Sequence, residues 1–211
     1  MRALLFILAL FTLAPILQAA APKTREEALQ GFASDFFAAC ANRDGADVAN
    51  MVDRRTIDQI DRVRHAALVL DRVEFSKLPT DSRALGLLMR SFMTSDQLRD
   101  TDGAKTLALL VSRGCFSDAF LKQFQPLGRV VENGPVADIY VGNTSQVSLT
   151  CVQERGFYRV AFWGMFARIS DGLAGYVKFT KKPENVALIE MLKAINPAID
   201  DSLFNGPRPK K

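Results

Sequence analysis

Between positions 135 and 168 apolar and polar residues alternate, and this stretch limits the fold more than any other in the chain. Val136-Ala137-Asp138-Ile139-Tyr140-Val141 reads as a strand, Gly142 to Ser145 as a turn, and residues 146–153 as a second strand. Glu154-Arg155-Gly156 turns again, and residues 157–168 make a third strand. β-Branched and aromatic residues in period-two alternation, cut by Gly and Asn, are the signature of consecutive hairpins. In the second strand Val147, Leu149 and Cys151 point one way while Ser148 and Thr150 point the other. One face of the sheet is therefore dry and needs covering, and the other is wet.

The remainder of the chain supplies the cover. Thr24-Arg25-Glu26-Glu27 is a capping box, in which the threonine hydroxyl and the glutamate three residues later satisfy each other's backbone amides. It opens a helix that runs to about Ala41, with Leu29, Phe32, Phe36 and Cys40 as its buried stripe and Ala33 and Phe37 beside it. A short helix is expected over 47–52, and an amphipathic one over 56–70 with Ile57, Ile60, Val63, Ala67 and Leu70 on one side. The helix expected over 81–93 carries Leu85, Leu87, Leu88, Met89, Phe92 and Met93 around most of its circumference, which marks burial on several sides. Further helices are expected over 105–111 and 116–124, and a last one begins at Pro183, a residue suited to a first helical turn. The fold class is α+β: an antiparallel sheet of three to four strands against a long N-terminal helix, with an enlarged helical middle block.

The first twenty residues read as a secretory signal peptide. Met1-Arg2 is the positive start, Ala3 to Leu17 the apolar run, and Gln18-Ala19-Ala20-Ala21 the small-residue cleavage zone. That run is shorter than the roughly twenty residues a membrane span requires, so no transmembrane span is expected after cleavage. Cleavage after Ala19 or Ala20 would release an exported protein, periplasmic or secreted. Residues 21–200 read as a single α+β domain and 201–211 as a flexible basic tail. The net charge of +4 comes from acidic and basic residues mixed throughout. Nucleic-acid binders instead cluster their positive charge in a stripe or a known module, so no nucleic acid is expected as a partner.

Residues with chemistry are few. His65 is the only histidine, with Asp61 four residues before it. The pair could act as a general base, but on the polar face of an amphipathic helix it is ordinarily a surface pair. Asp138 and Tyr140 share one face of their strand. There is no Gly-x-Ser-x-Gly elbow, phosphate-binding glycine loop or histidine-rich spacing, so no cofactor, metal or catalytic residue is assigned. Three cysteines remain after cleavage and none forms a Cys-x-x-Cys. All three read either as small buried hydrophobes or as one bridge plus an odd thiol. For the bridge, Cys40 on the helix stripe and Cys151 on the dry strand face are the expected partners, leaving Cys115 as the more exposed thiol.

The long first helix ending at Asn42-Arg43-Asp44-Gly45, the short helix after it, and Glu154-Arg155-Gly156-Phe157-Tyr158-Arg159-Val160 together resemble the nuclear transport factor 2-like superfamily. The resemblance covers residues 24–52 and 136–168 and implies a curved sheet wrapped around a helix as a cone. It includes ligand binders, assembly proteins and ketosteroid-isomerase-like enzymes, and fold alone does not choose among them. The leading expectation is a non-catalytic exported binding protein that holds an apolar small molecule or lipid between helix and sheet. Phe32, Phe36, Leu85, Met89, Leu149 and Phe162 would line that cavity. The alternatives are a homodimer or protein-interaction module of the cell envelope, using Arg159 and Trp163 on one face of the last strand, and an isomerase-like enzyme using Asp138 with Tyr140.

Overall fold

The computed structural model describes residues 24–207. The signal peptide expected over 1–20 lies outside the described residues, as do the last four of the tail. Helix α1 (Arg25–Ala41) leads into α2 (Gly45–Met51), α3 (Arg54–Val69), α4 (Arg72–Ser76), α5 (Thr80–Phe92), α6 (Ser95–Asp100), α7 (Gly103–Ser112) and α8 (Asp118–Leu121). After a 3-10 turn at Lys122–Phe124 come strands β1 (Leu127–Asn133), β2 (Val136–Val141), β3 (Val147–Glu154) and β4 (Phe157–Val160). Helices α9 (Trp163–Thr180) and α10 (Glu184–Lys193) follow, with a final 3-10 turn at Asp201–Asn205. The class is α+β, and the sheet is antiparallel, curved and open, in the order β1-β2-β3-β4. Register shifts between Leu127 and Val130 and between Ile139 and Tyr140 are the kind of irregularity that bends a strand.

The helices start where short polar side chains can close them. Thr24 and Glu27 form the expected reciprocal box, with the Thr24 amide 2.8 Å from the Glu27 carboxylate and the Glu27 amide 3.1 Å from the Thr24 hydroxyl. Asp44, Asp53, Asp71 and Asp102 accept from the amides of Asp47, Thr56, Glu74 and Lys105 at the starts of α2, α3, α4 and α7. Two helix crossings depend on glycine for close approach. A Cβ on Gly45 would lie 2.0 Å from the Ala108 carbonyl oxygen, and one on Gly103 would lie 2.3 Å from that of Ile57.

Helix α1 lies along edge strand β1. Glu26 accepts from the Val130 amide and Gln30 donates to the Gly128 carbonyl, which occupies backbone groups that an open edge would offer to another chain. Arg25 ties the same end together through Glu132 at 2.7 Å and the Tyr158 hydroxyl at 2.6 Å. Helix α5 runs through the centre, with Ala84, Leu85, Leu87, Leu88 and Met89 all buried. Among the described residues no helix is long and apolar enough to cross a membrane.

Two expectations about the chain's path are corrected. The third strand stops at Val160, not 168, and the chain from Trp163 to Thr180 is helical. Where the ladder ends, the Asp53 amide donates to the outward carbonyl of Val160, and Ala161 makes the last bond to β3 at Thr150. Beyond that point Ile169, Leu173, Tyr176 and Val177 stand at i, i+4, i+7 and i+8, a helical period and not a strand period. Part of the segment expected as a flexible tail is packed as well. Leu203 and Phe204 are each fully buried, as is Ile199 just before it.

Candidate functional site

The aromatic residues of α1, of the turns around α8 and of the β4–α9 junction meet in one cluster. Phe36 contacts Phe37 and Phe162, Phe37 stacks on Phe124, Phe124 meets Phe120, Phe120 stacks on Phe116, and Phe116 returns to Phe162. Centroid separations run from 5.1 to 6.1 Å, inside the range where offset-stacked and edge-to-face pairs are favourable. The six rings therefore close a loop of contacts that joins α1 to α8 and to the start of α9.

The residues expected to line a helix–sheet cavity sit in this core or next to it. Phe36, Met89 and Phe162 are fully buried, Leu149 and Leu85 are 1% and 2% exposed, and Phe32 is half-buried against the cluster. None of the six lines the clefts described next.

An open apolar slot lies on the other side of the aromatic cluster, between α8, α9 and α10. Its volume is about 280 Å³, and Phe120, Phe124, Ile169, Met191, Leu192 and Ile195 form most of its wall. The polar side chains in the lining are Ser117 and Gln123. Gly172 in α9 faces α10, where a Cβ would meet the Met191 methyl at 3.5 Å, an ordinary van der Waals contact. The sequence hid this site because α9 reads as a strand up to 168, so no helical face was available to pair with α10. The spacing of four between Phe116, Phe120 and Phe124 was the one signal present.

Next to the slot is a more polar groove of about 610 Å³ that includes Arg43, Phe92, Arg113, Phe116 and Asp118. It shares Ser117 and Ile195 with the slot. A third depression, about 620 Å³, lies at the β3–β4 hairpin and is walled by Arg54, Glu154, Arg155, Phe157 and Arg159. There Glu154 accepts from the Arg54 amide and Arg159 donates to the Asn50 carbonyl. Phe157 stands 68% exposed. Trp163, expected to share a strand face with Arg159, belongs to α9 instead, so the two residues do not lie on one strand.

The remaining candidates are dispersed. Asp61 pairs with Arg64 at 2.8 Å, and His65 is exposed. Asp138 accepts from the Thr150 hydroxyl at 2.6 Å, and the Arg129 guanidinium covers the Tyr140 ring at 4.2 Å. Neither pair lines one of the three clefts. Among the described residues no three His, Cys, Asp or Glu side chains converge as a metal site requires.

The cysteines correct the expected pairing. All three are free and buried, at 1%, 2% and 0% exposure for Cys40, Cys115 and Cys151. Burial pushes the Cys40 and Cys151 thiols up to about 12. Cys115 is also raised, first by burial and then by the neighbouring Cys40. Cys115 is thus an inner thiol beside Cys40, because the end of α1 meets the turn after α7, where the Arg43 side chain lies against Gly114.

Comparison with known proteins adds no kinship: no family model, curated protein or solved structure matches this chain.

Proposed function

We propose that this chain is an exported, non-catalytic binding protein that takes an apolar small molecule or short lipid chain into the slot between α8, α9 and α10. The reading keeps the nuclear transport factor 2-like kinship as its working ancestry but moves the site away from the sheet. The observation that carries it is the slot's wall, in which Phe120, Phe124, Ile169, Met191, Leu192 and Ile195 face one concavity. Ligand sites are typically apolar concavities of roughly 300–1,000 Å³ with few polar groups. At about 280 Å³ the slot suits a compact ligand, such as a short acyl chain or a small ring system.

The test uses Nile red as a probe with purified protein, together with native mass spectrometry of the protein as isolated. Saturable fluorescence enhancement that is lost in Ile195→Trp, which fills the slot, supports the reading. Absence of saturable binding, or binding that Ile195→Trp leaves unchanged, overturns it.

A second reading follows from the hairpin depression. Arg54, Arg155 and Arg159 surround the exposed Phe157, and aromatic residues with arginine are enriched where proteins meet. Two copies of this basic patch would repel each other, so it fits an acidic segment of another protein better than a symmetric homodimer. A synthetic peptide of alternating glutamate and leucine should bind in a salt-sensitive manner and lose that binding in Arg155→Glu. Salt-insensitive binding removes this reading.

A further inference from the structure

Resting on the apolar-slot reading, we infer that the ligand is an amphipathic monocarboxylate whose apolar body fills the slot and whose carboxylate meets Arg43 and Arg113. The slot and the polar groove adjoin at Ser117 and Ile195, which belong to the walls of both. Their aromatic wall is continuous, since Phe116 of the groove stacks on Phe120 of the slot at 5.8 Å. A molecule longer than the slot would therefore place its far end between two guanidinium groups.

Backbone geometry that few residues adopt holds the first of these groups. Arg43 has φ +61 and Gly114, opposite it, has φ +78. A Cβ on Gly114 would come within 3.2 Å of the Arg43 guanidinium carbon, so glycine lets the guanidinium lie flat against the turn. Among the described residues no carboxylate or carbonyl pairs with the Arg43 side chain. Arg113 is anchored through one nitrogen only, Nη1, which donates to the Phe92 carbonyl and to Gln97 Oε1. Its remaining nitrogens keep their donors.

Charge selects the head group. Arg43 and Arg113 face one carboxylate in the groove, that of Asp118, which leaves the lining one positive charge in excess. A monoanion balances that excess, whereas a dianion would be repelled by Asp118. Planar guanidinium forks match the two oxygens of a carboxylate.

Calorimetric titration with octanoate, methyl octanoate and octanol tests this on the full folded protein. Octanoate should bind at least about tenfold more tightly than its ester or the alcohol, since only the acid offers the guanidinium groups a charged hydrogen-bond acceptor. Arg43→Gln should bring octanoate down to the level of the ester without changing the ester, and Arg43→Lys should recover part of the loss. Asp118→Asn, which removes the competing carboxylate, should tighten octanoate about two- to fivefold and leave the ester unmoved. Equal affinity for all three compounds, or an Arg43→Gln effect that is the same for acid and ester, overturns the head-group site and leaves the apolar slot standing. If none of the three binds and Nile red does not bind either, both readings fall together.

Discussion

The guanidinium of Arg90 lies 3.9 Å from the centre of the Phe75 ring, and the whole arginine side chain is buried. Among the described residues no carboxylate pairs with it. Its Nε donates to the Ala67 carbonyl, Nη2 to Leu70, and Nη1 to both Leu203 and Phe204, all between 2.6 and 2.9 Å. Ala67 and Leu70 are at the C-terminal end of α3, where unpaired carbonyls carry partial negative charge. Leu203 and Phe204 belong to the last 3-10 turn, and Phe204 meets Phe75 edge-on at 5.9 Å. One cation thus joins α3, α5 and the C-terminus. Burial lowers it to about 10, so it remains charged at neutral pH.

Replacing that cation should be costly. Arg90→Met leaves four buried carbonyls without their donor and removes a desolvated cation–π contact, for an expected loss of about 3–5 kcal/mol. Arg90→Lys keeps the charge but cannot fork to both chain segments, and should lose about half as much. Urea midpoints give the magnitudes. Hydrogen exchange locates the damage, with the amides of Asp201–Asn205 losing protection first. An Arg90→Met protein as stable as wild type would mean that the four carbonyls find water without cost.

How much of this could be read from the chain depended on the range of the interactions. Local signals served well: Thr24 and Glu27 close α1 as expected, and residues 136–141 and the turn at Glu154-Arg155-Gly156 form the hairpins. Non-local events set the errors. After Val160 the chain turns into α9 instead of continuing as strand, and at that point the Asp53 amide, more than a hundred residues earlier, donates to the Val160 carbonyl. The tail from 201 onward is polar enough to read as free, and it takes distant partners, Arg90 with Phe75 and Arg72 on Asp201 and the Phe204 ring, to hold Leu203 and Phe204 inward. The candidate slot shared that obstacle, since it needs α9 as a helix before α10 has a partner.

The thiols offer a check on packing at the end of α1. Cys40, Cys115 and Cys151 are buried and raised above the ordinary thiol range, and the thiolate is the reactive form. Native protein should consume no thiol reagent at neutral pH within the mixing time. After denaturation without reductant, three equivalents should react. One equivalent would mean that two of the thiols are bridged, with Cys40 and Cys115 as the neighbouring pair.

Helix α10 should loosen in acid. Glu184 is held below the usual carboxylate range, first by the Thr80 hydroxyl and then by Arg83, and Arg83 also donates to Asn185 and Thr80. A depressed folded value means that this stabilisation is complete above the ordinary glutamate range, near 4.3, and fades as pH falls through the folded value. Glu184 is half-exposed, so screening keeps the effect to about 1 kcal/mol. Thermal melts of wild type and Glu184→Gln should differ at neutral pH and converge below pH ~4. A constant gap across the range would assign the effect to packing and not to charge.

Two members of the aromatic cluster should separate stability from binding. Phe36 is fully buried, and Phe120 is half-buried and lines the slot. Phe36→Ala opens a void among rings that cannot collapse onto it, and should cost about 3–5 kcal/mol. Nile red affinity per folded molecule should stay unchanged, because Phe36 does not reach the slot. Phe120→Ala removes part of the slot's wall and, where solvent already reaches, less buried surface. Its stability cost should be about half as large, while Nile red affinity falls several-fold. Urea denaturation and probe titration on the same preparations distinguish the two effects. If Phe36→Ala weakened binding as much as Phe120→Ala, the ligand would lie within the aromatic cluster, between helix and sheet.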